Sequence, residues 1–161
     1  MILFRRPRVR RTRKGVYKVD LPDHEREVLH RLLPQLRTLV AGEDTDGRTR
    51  RLFPPAYANV VDVEAEAEYQ RFMHDELVAS RLAALDTVEA SLDATEVTEQ
   101  ELLAWMGSVN SLRLVLGTLL DVSEELDVGG VPDDIPDVES YALYAYLSSL
   151  LGEIVDALDP G

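Results

Sequence analysis

Cysteine is absent from the 161-residue sequence. Without it the chain cannot form a disulfide, present a thiol nucleophile or hold a metal ion through thiolates. A thiol–disulfide switch is excluded for the same reason. Any function must therefore depend on charge, shape and the remaining side chains.

Long hydrophobic runs are also missing. No window approaches the roughly 20 consecutive apolar residues that a membrane-spanning helix requires. The apolar stretch at residues 1–4 is short for the core of a secretory signal, and positive charges follow it rather than precede it. We therefore expect a cytoplasmic protein without a membrane partner.

Basic residues are lacking from the last part of the chain. After Arg113 there is no Lys or Arg, while eleven Asp or Glu follow. Residues 1–19 carry eight basic residues and no acid, whereas residues 20–161 carry nine basic and thirty acidic residues, a net charge of -21. A broad acidic surface repels phosphate and favours a basic protein partner.

The length suits one domain over residues 1–161, with a basic β-hairpin at 1–21 and an acidic helical bundle at 22–161. In the hairpin, two strand-like runs are joined through Lys14 and Gly15. A lone hairpin is marginal in water, so Tyr17 or Val19 should rest on the bundle. We expect the arginines of the hairpin to point outward.

Apolar residues at helical spacing predict the remaining elements. Pro34 should kink or divide the first helix, and Thr98 with Glu101 forms a capping box that begins another helix near Glu99. The predicted fold is mainly α, a bundle of about five helices with a short N-terminal β-hairpin. The helical patterns cover residues 22–40, 62–93, 99–120 and 138–158, with a loop at 42–59.

Motifs for reaction chemistry are not found. His24 and His30 are six residues apart, and the consecutive residues His74, Asp75 and Glu76 point in different directions on a helix. The sequence has no GxSxG, GxGxxG or GxxxxGK pattern. We predict no enzyme activity and no catalytic, cofactor or metal site, and keep a small-ligand or metal-binding bundle as an alternative.

One polar cluster stands out within the apolar helix near residue 113. Asn110, Arg113 and Gly117 share a helix face, and apolar neighbours surround Arg113. A guanidinium in that setting needs a partner, because an unpaired buried charge is costly. We favour a structural ion pair with a carboxylate on another helix. A recognition pocket for an anion or a partner's carboxylate is the alternative.

The basic head is the predicted contact surface. Lys and Arg gain affinity for nucleic acid by displacing counterions from phosphates, but the sequence pI near 4.6 is far from that of basic nucleic-acid-binding domains. We expect an acidic protein face as the first partner class and DNA as the second. The predicted contact residues are Arg5, Arg6, Arg8, Arg10, Arg11, Arg13 and Lys14.

Three stretches together resemble a known family. They are "LPDHEREVLHRLLPQL" at 21–36, "RRLFPPAY" at 50–57 and, most specifically, "VNSLRLVLGTLLDVSEE" at 109–125. These stretches are similar to the actinobacterial DUF2017 family, which includes oxidative-stress regulators of the AosR type. The resemblance covers nearly the whole chain.

The resemblance implies a non-enzymatic transcriptional or stress regulator, without a cofactor, whose partner is a sigma factor or RNA polymerase. Other family members are encoded close to a protease adaptor, which implies an alternative role as an adaptor or accessory in Clp-type proteolysis. The redox-responsive branch is thought to use paired cysteines, and this chain has none. Ser111 and Leu119 also stand where the family pattern has Asp and Arg.

Overall fold

The computed structural model describes residues 6–42, 63–119 and 138–160, and the predicted loop at 42–59 lies almost wholly outside them. Over this part of the chain it has four helices and one small sheet. The mainly helical class is confirmed, but the expected count of about five helices is too high for the described residues. The helices are α1 (Asp23–Ala41), α2 (Val63–Ser91), α3 (Glu99–Leu119) and α4 (Val138–Leu158).

The sheet consists of three antiparallel strands, β1 (Val9–Arg11), β2 (Tyr17–Val19) and β3 (Glu96–Val97), in the order β1-β2-β3. Gly15 adopts a positive φ of 78° in the turn between the first two strands, a conformation that favours glycine. The predicted hairpin is therefore confirmed. The third strand, which pairs with the second, was not predicted from the sequence.

Helix α1 continues through Pro34, so the predicted division of this helix is wrong. Leu29 and Leu33 before the proline and Leu36 and Val40 after it are all buried on one face. Pro34 itself is exposed, so its ring does not disturb that packing. Packing on both sides outweighs the loss of one backbone hydrogen bond.

Helix α3 packs against both α2 and α4 and forms the centre of the fold. Trp105 is fully buried there, and its indole N–H donates a 2.8 Å hydrogen bond to the Ser91 hydroxyl. That hydroxyl donates in turn to the Thr87 carbonyl at 2.8 Å. The buried polar groups around the tryptophan are therefore satisfied, as a stable core requires.

The start of α3 is the predicted capping box. The Thr98 amide donates to the Glu101 carboxylate at 2.9 Å, and the Glu101 amide donates to the Thr98 hydroxyl at 3.1 Å. These bonds satisfy two backbone donors that a helix start leaves free. The prediction that this helix begins near Glu99 is confirmed.

Only the second half of α2 belongs to the core. Its buried residues are Leu85, Val88 and Ser91, whereas Tyr69 and Phe72 in the first half are 56% and 61% exposed. Across residues 6–42, 63–119 and 138–160, no helix combines the length and the apolar content needed to cross a membrane.

Candidate functional site

Arg8 fixes the hairpin to two helices. Its Nη1 donates to Glu25 Oε1 on α1 at 2.6 Å, and its Nε donates to Glu153 Oε2 on α4 at 2.7 Å. Its backbone amide donates to the other Glu153 oxygen at 2.6 Å, and its Nη2 donates to the Ser149 hydroxyl at 3.0 Å. The guanidinium also lies 5.2 Å from the centre of the Tyr146 ring. The hairpin is thus held in one orientation.

Arg8, Glu25, Glu153 and Tyr146 form what we call the Arg8 cluster, and their charges depend on one another. Glu25 is only 6% exposed, and a carboxylate so buried needs a paired cation. Desolvation lowers the pKa of Arg8, but its hydrogen bonds to Glu153 and Glu25 raise the pKa further than burial lowers it. Burial raises the pKa of the Tyr146 hydroxyl well above its usual range, and the interaction with Glu25 adds to this increase.

Arg11 makes a second attachment. Its Nη2 donates to the Tyr17 hydroxyl at 3.2 Å and to the Leu158 carbonyl, at the end of α4, at 3.0 Å. A cation at this end of a helix is favoured by the helix dipole. Arg10 is half-buried, and its Nε is enclosed without a hydrogen-bond partner. The expectation that the hairpin arginines all point outward is therefore wrong for Arg8 and Arg10, whereas Arg11 is exposed although it contacts the end of α4.

The outward-facing positive charge lies elsewhere on the hairpin. Arg6, Arg13 and Lys14 are exposed, and they make no ion pair within the part of the chain that the structure describes. We call these three residues the hairpin cations. Lys18 is a further exposed cation, but it lies opposite Glu96 in the sheet register. Arg5, also a predicted contact residue, lies outside the described residues.

Arg113 occupies a groove between α3 and α4. Its Nη1 donates to the Tyr144 hydroxyl at 2.9 Å, and its guanidinium lies 5.6 Å from the centre of the same ring. Its Nε is enclosed without a hydrogen-bond partner. Among the described residues, the expected carboxylate partner is replaced by this phenol. Asn110 is half-buried on the same helix, and no hydrogen bond between these described residues joins it to Arg113.

The groove beside Arg113 has a volume of about 580 Å³ and contains both aromatic and polar groups. The rings of Tyr141 and Tyr144 lie 6.4 Å apart in its lining, and Asp156 lines it further along α4. The Ser148 hydroxyl is enclosed without a partner among the described residues. The groove can donate hydrogen bonds to a ligand, but Asp156 opposes a purely anionic one.

The histidines and acidic residues do not assemble a cation site where the structure describes them. No three of their side chains come close enough to hold a metal ion within residues 6–42, 63–119 and 138–160. His30 instead pairs with Asp93 at 2.9 Å, and His24 is exposed.

The residues that hold Arg8 were missed by sequence reasoning, although one signal was available. Glu25 precedes Leu29 by four residues and Leu33 by eight, which places it on the buried face of α1. A carboxylate on a buried face requires a cation, and the basic head is one of the sources close to it in sequence. Glu153, from the other end of the described chain, offers no comparable signal.

Comparison with known proteins agrees with the family resemblance of the sequence. The sequence matches the family described as Domain of unknown function (DUF2017) over residues 4–158. The chain belongs to the DUF2017 family. The resemblance seen in the sequence is therefore confirmed.

A relative of this DUF2017 chain comes from Mycobacterium leprae (strain TN) and is provisionally named oxidative stress regulator AosR. The two proteins are 33% identical over 138 residues, which is 83% of this chain and 59% of the relative. The DUF2017 chain thus spans less than two thirds of that protein's length. No solved structure matches the chain.

Proposed function

We propose that this DUF2017 chain is a cytoplasmic, non-enzymatic regulator that acts by protein contact, with its hairpin cations binding an acidic face of a sigma factor or RNA polymerase. One observation carries the proposal: Arg8 fixes the hairpin to α1 and α4, while Arg6, Arg13 and Lys14 remain exposed and unpaired among the described residues. Because the backbone of the hairpin is already held in place, binding through these charges loses less backbone entropy. The name of the relative supports a regulatory role.

An acidic protein face suits this surface better than DNA does. Residues 20–161 have a net charge of -21, which repels the phosphate backbone at long range. Three phosphate contacts also release few counterions, so they supply little affinity for DNA. A partner protein with a small acidic patch can contact the hairpin cations while the rest of the partner stays away from the acidic surface of this chain. DNA is the second partner class of the proposal.

The proposed regulator works without a cysteine switch, because the chain has no cysteine. Its activity would depend on whether the partner is bound, and charge complementarity would set the rate of association. We therefore expect binding to be fast at low salt and slower as salt screens the charges.

The first prediction tests the hairpin cations directly. We expect Arg13→Ser with Lys14→Ser to reduce recovery of sigma factor and polymerase subunits from an actinobacterial lysate at least fivefold. Both side chains are exposed, so the thermal unfolding midpoint should remain unchanged. Recovery is measured by quantitative mass spectrometry of proteins bound to the immobilised chain.

The matched control removes the same charge elsewhere. Arg31→Ser with Arg71→Ser changes two exposed arginines of α1 and α2 and should leave recovery near that of the unchanged protein. Equal losses in both variants would show that only overall charge matters and would contradict the proposal. Recovery of a Clp chaperone in place of polymerase would favour the adaptor role.

A further inference from the structure

A second cavity lies between α1, α2 and α3 and is partly open to solvent, since Ser80 and Leu103 of its lining are exposed. Its volume is about 160 Å³, and it lies apart from the hairpin and from the groove beside Arg113. Small side chains at Ser80, Ala84 and Gly107 leave this space open between the helices. The other lining residues are Leu36, Val40, Arg81, Leu85, Leu103, Ser108 and Ser111.

Two hydrogen-bond donors of the residues that line this cavity have no partner among the described residues. Ser108 is only 2% exposed, and its hydroxyl makes no hydrogen bond to them. The Arg81 Nε is likewise enclosed and unpartnered. The neighbouring Ser111 differs, because its hydroxyl donates to the Gly107 carbonyl at 2.9 Å. Buried donors without acceptors are rare and costly, so this pair indicates a missing acceptor.

The charge of the cavity selects the kind of acceptor. Among the residues that the structure describes, Arg81 is the only charged residue that lines it, and no carboxylate does. The groove beside Arg113 is different, because Asp156 lines it. The acids Asp86 and Glu89 on α2 are already paired with Arg37. Arg81 is half-buried with its Nε enclosed, and a guanidinium in that setting without a carboxylate is stabilised by an anion.

The volume limits the size of that anion. About five water molecules would occupy 160 Å³ at their share of liquid volume. Cavities for drug-sized ligands begin at about 300 Å³, so a nucleotide is excluded. An oxyanion of about five non-hydrogen atoms fits the space and supplies several acceptors. Ser80 is both exposed and part of the lining, which marks a route from solvent.

We propose that the cavity between α1, α2 and α3 binds a small oxyanion, such as inorganic phosphate, sulfate or a short carboxylate. Arg81 supplies the positive charge and a directed N–H donor. Ser108 supplies a hydroxyl donor from α3. The site is independent of the hairpin cations, so it can be present whether or not the proposed partner binding is correct.

Thermal unfolding of the purified full chain tests the site. Sodium phosphate, sulfate and acetate are added in series at one constant ionic strength, with sodium chloride as the reference. We expect at least one oxyanion to raise the unfolding midpoint by several degrees in a saturable way, because a ligand that binds only the folded state stabilises it. The tightest of the three identifies the oxyanion geometry that the cavity prefers.

Variants locate the effect within the cavity. Arg81→Gln should abolish the rise, and Ser108→Ala should weaken the apparent affinity about tenfold. Ser108→Ala removes an unpartnered buried hydroxyl, so without oxyanion this variant should be at least as stable as the unchanged chain. Arg71→Gln, an exposed position on the same helix, should keep the full rise.

Three results would overturn the proposal. The first is no saturable rise with any of the three oxyanions. The second is an equal rise in Arg81→Gln and Arg71→Gln, which would mean that the salts act generally on the protein surface. The third is unchanged affinity in Ser108→Ala, which would place the anion elsewhere.

Discussion

At the scale of single residues, the pairing of Arg8 with Glu25 decides how the hairpin is attached. We expect Arg8→Gln to lower the free energy of unfolding by about 3 kcal/mol, because it leaves the buried Glu25 carboxylate without its cation. The loss is measured by urea unfolding, followed through the fluorescence of the single tryptophan, Trp105.

Arg13→Gln is the control for this change. Arg13 is exposed on the same hairpin, so its replacement should alter the free energy of unfolding by less than about 0.5 kcal/mol. If Arg8→Gln were as mild as Arg13→Gln, the Arg8 contacts would contribute little net stability and the hairpin would need another anchor.

Tyr146 gives the same cluster a pH signature. Its pKa is near 10 in the unfolded chain, whereas burial raises the pKa in the folded protein. The contribution of Tyr146 to stability is therefore complete below about pH 10 and is lost as pH rises towards the folded pKa. Above about pH 10, the free energy of unfolding of Tyr146→Phe should therefore fall less steeply with pH than that of the unchanged protein. The two slopes should differ by the equivalent of about one proton.

The measurement is urea unfolding at a series of alkaline pH values. Tyr69→Phe is the control, since Tyr69 is an exposed tyrosine of α2, and its slope should match that of the unchanged protein. A Tyr146→Phe slope equal to both would mean that the hydroxyl titrates alike in the folded and unfolded chains.

Residue patterns could predict only part of this cluster. The position of Glu25 on the buried face of α1 is visible as a four-residue step before Leu29. The contribution of Glu153 depends on α4 folding back against β1, and local spacing carries no information on such distant contacts. The same limit applies to Arg113, whose partner is the Tyr144 hydroxyl rather than the predicted carboxylate within the described residues.

At the scale of elements, α1 tests how far packing can overrule local preference. We expect Pro34→Ala to raise the free energy of unfolding by about 1–3 kcal/mol, because alanine restores a backbone donor inside an otherwise continuous helix. Pro34 is exposed, so the change removes no buried contact. Thermal and urea unfolding provide the measurement.

Pro34→Gly separates the effect of the restored backbone donor from the effect of helix propensity. Glycine also restores the donor but costs about 1 kcal/mol relative to alanine in a helix, so this variant should gain less. A loss of stability in Pro34→Ala would show that the proline fits the native helix and stabilises it by restricting the unfolded chain.

The elements that the sequence predicts well are those with local signals. The capping box locates the start of α3, and apolar spacing gives α4 its observed limits. Strand β3 has only two residues, Glu96 and Val97, which is too short for any periodic pattern. The first half of α2 has the expected apolar residues at Tyr69 and Phe72, but spacing alone does not reveal that they lie exposed.

At the scale of the whole molecule, the acidic charge should destabilise the folded state through self-repulsion. We expect the unfolding midpoint to rise by about 2–4 °C as sodium chloride increases from about 0.01 M to about 0.1 M, because the screening length falls from about 30 Å to about 10 Å. Calorimetry at fixed pH measures the change. A falling midpoint would mean that favourable ion pairs outweigh the repulsion.

The two proposed sites lie in different parts of the molecule. The hairpin cations lie just before β1 and in the turn between β1 and β2, whereas the oxyanion cavity lies among α1, α2 and α3. Both involve α1, which contributes Glu25 to the Arg8 cluster and Leu36 and Val40 to the cavity.

The link between Arg8 and Glu153 also affects the order in which contacts form during synthesis. The two residues are 145 positions apart. At a synthesis rate of about 5–20 residues per second, roughly 7–30 s pass between their additions to the growing chain. During that interval the hairpin can pair with Glu25 on α1, which is only 17 positions from Arg8, but not with Glu153. The attachment of the hairpin to α4 therefore forms after its attachment to α1.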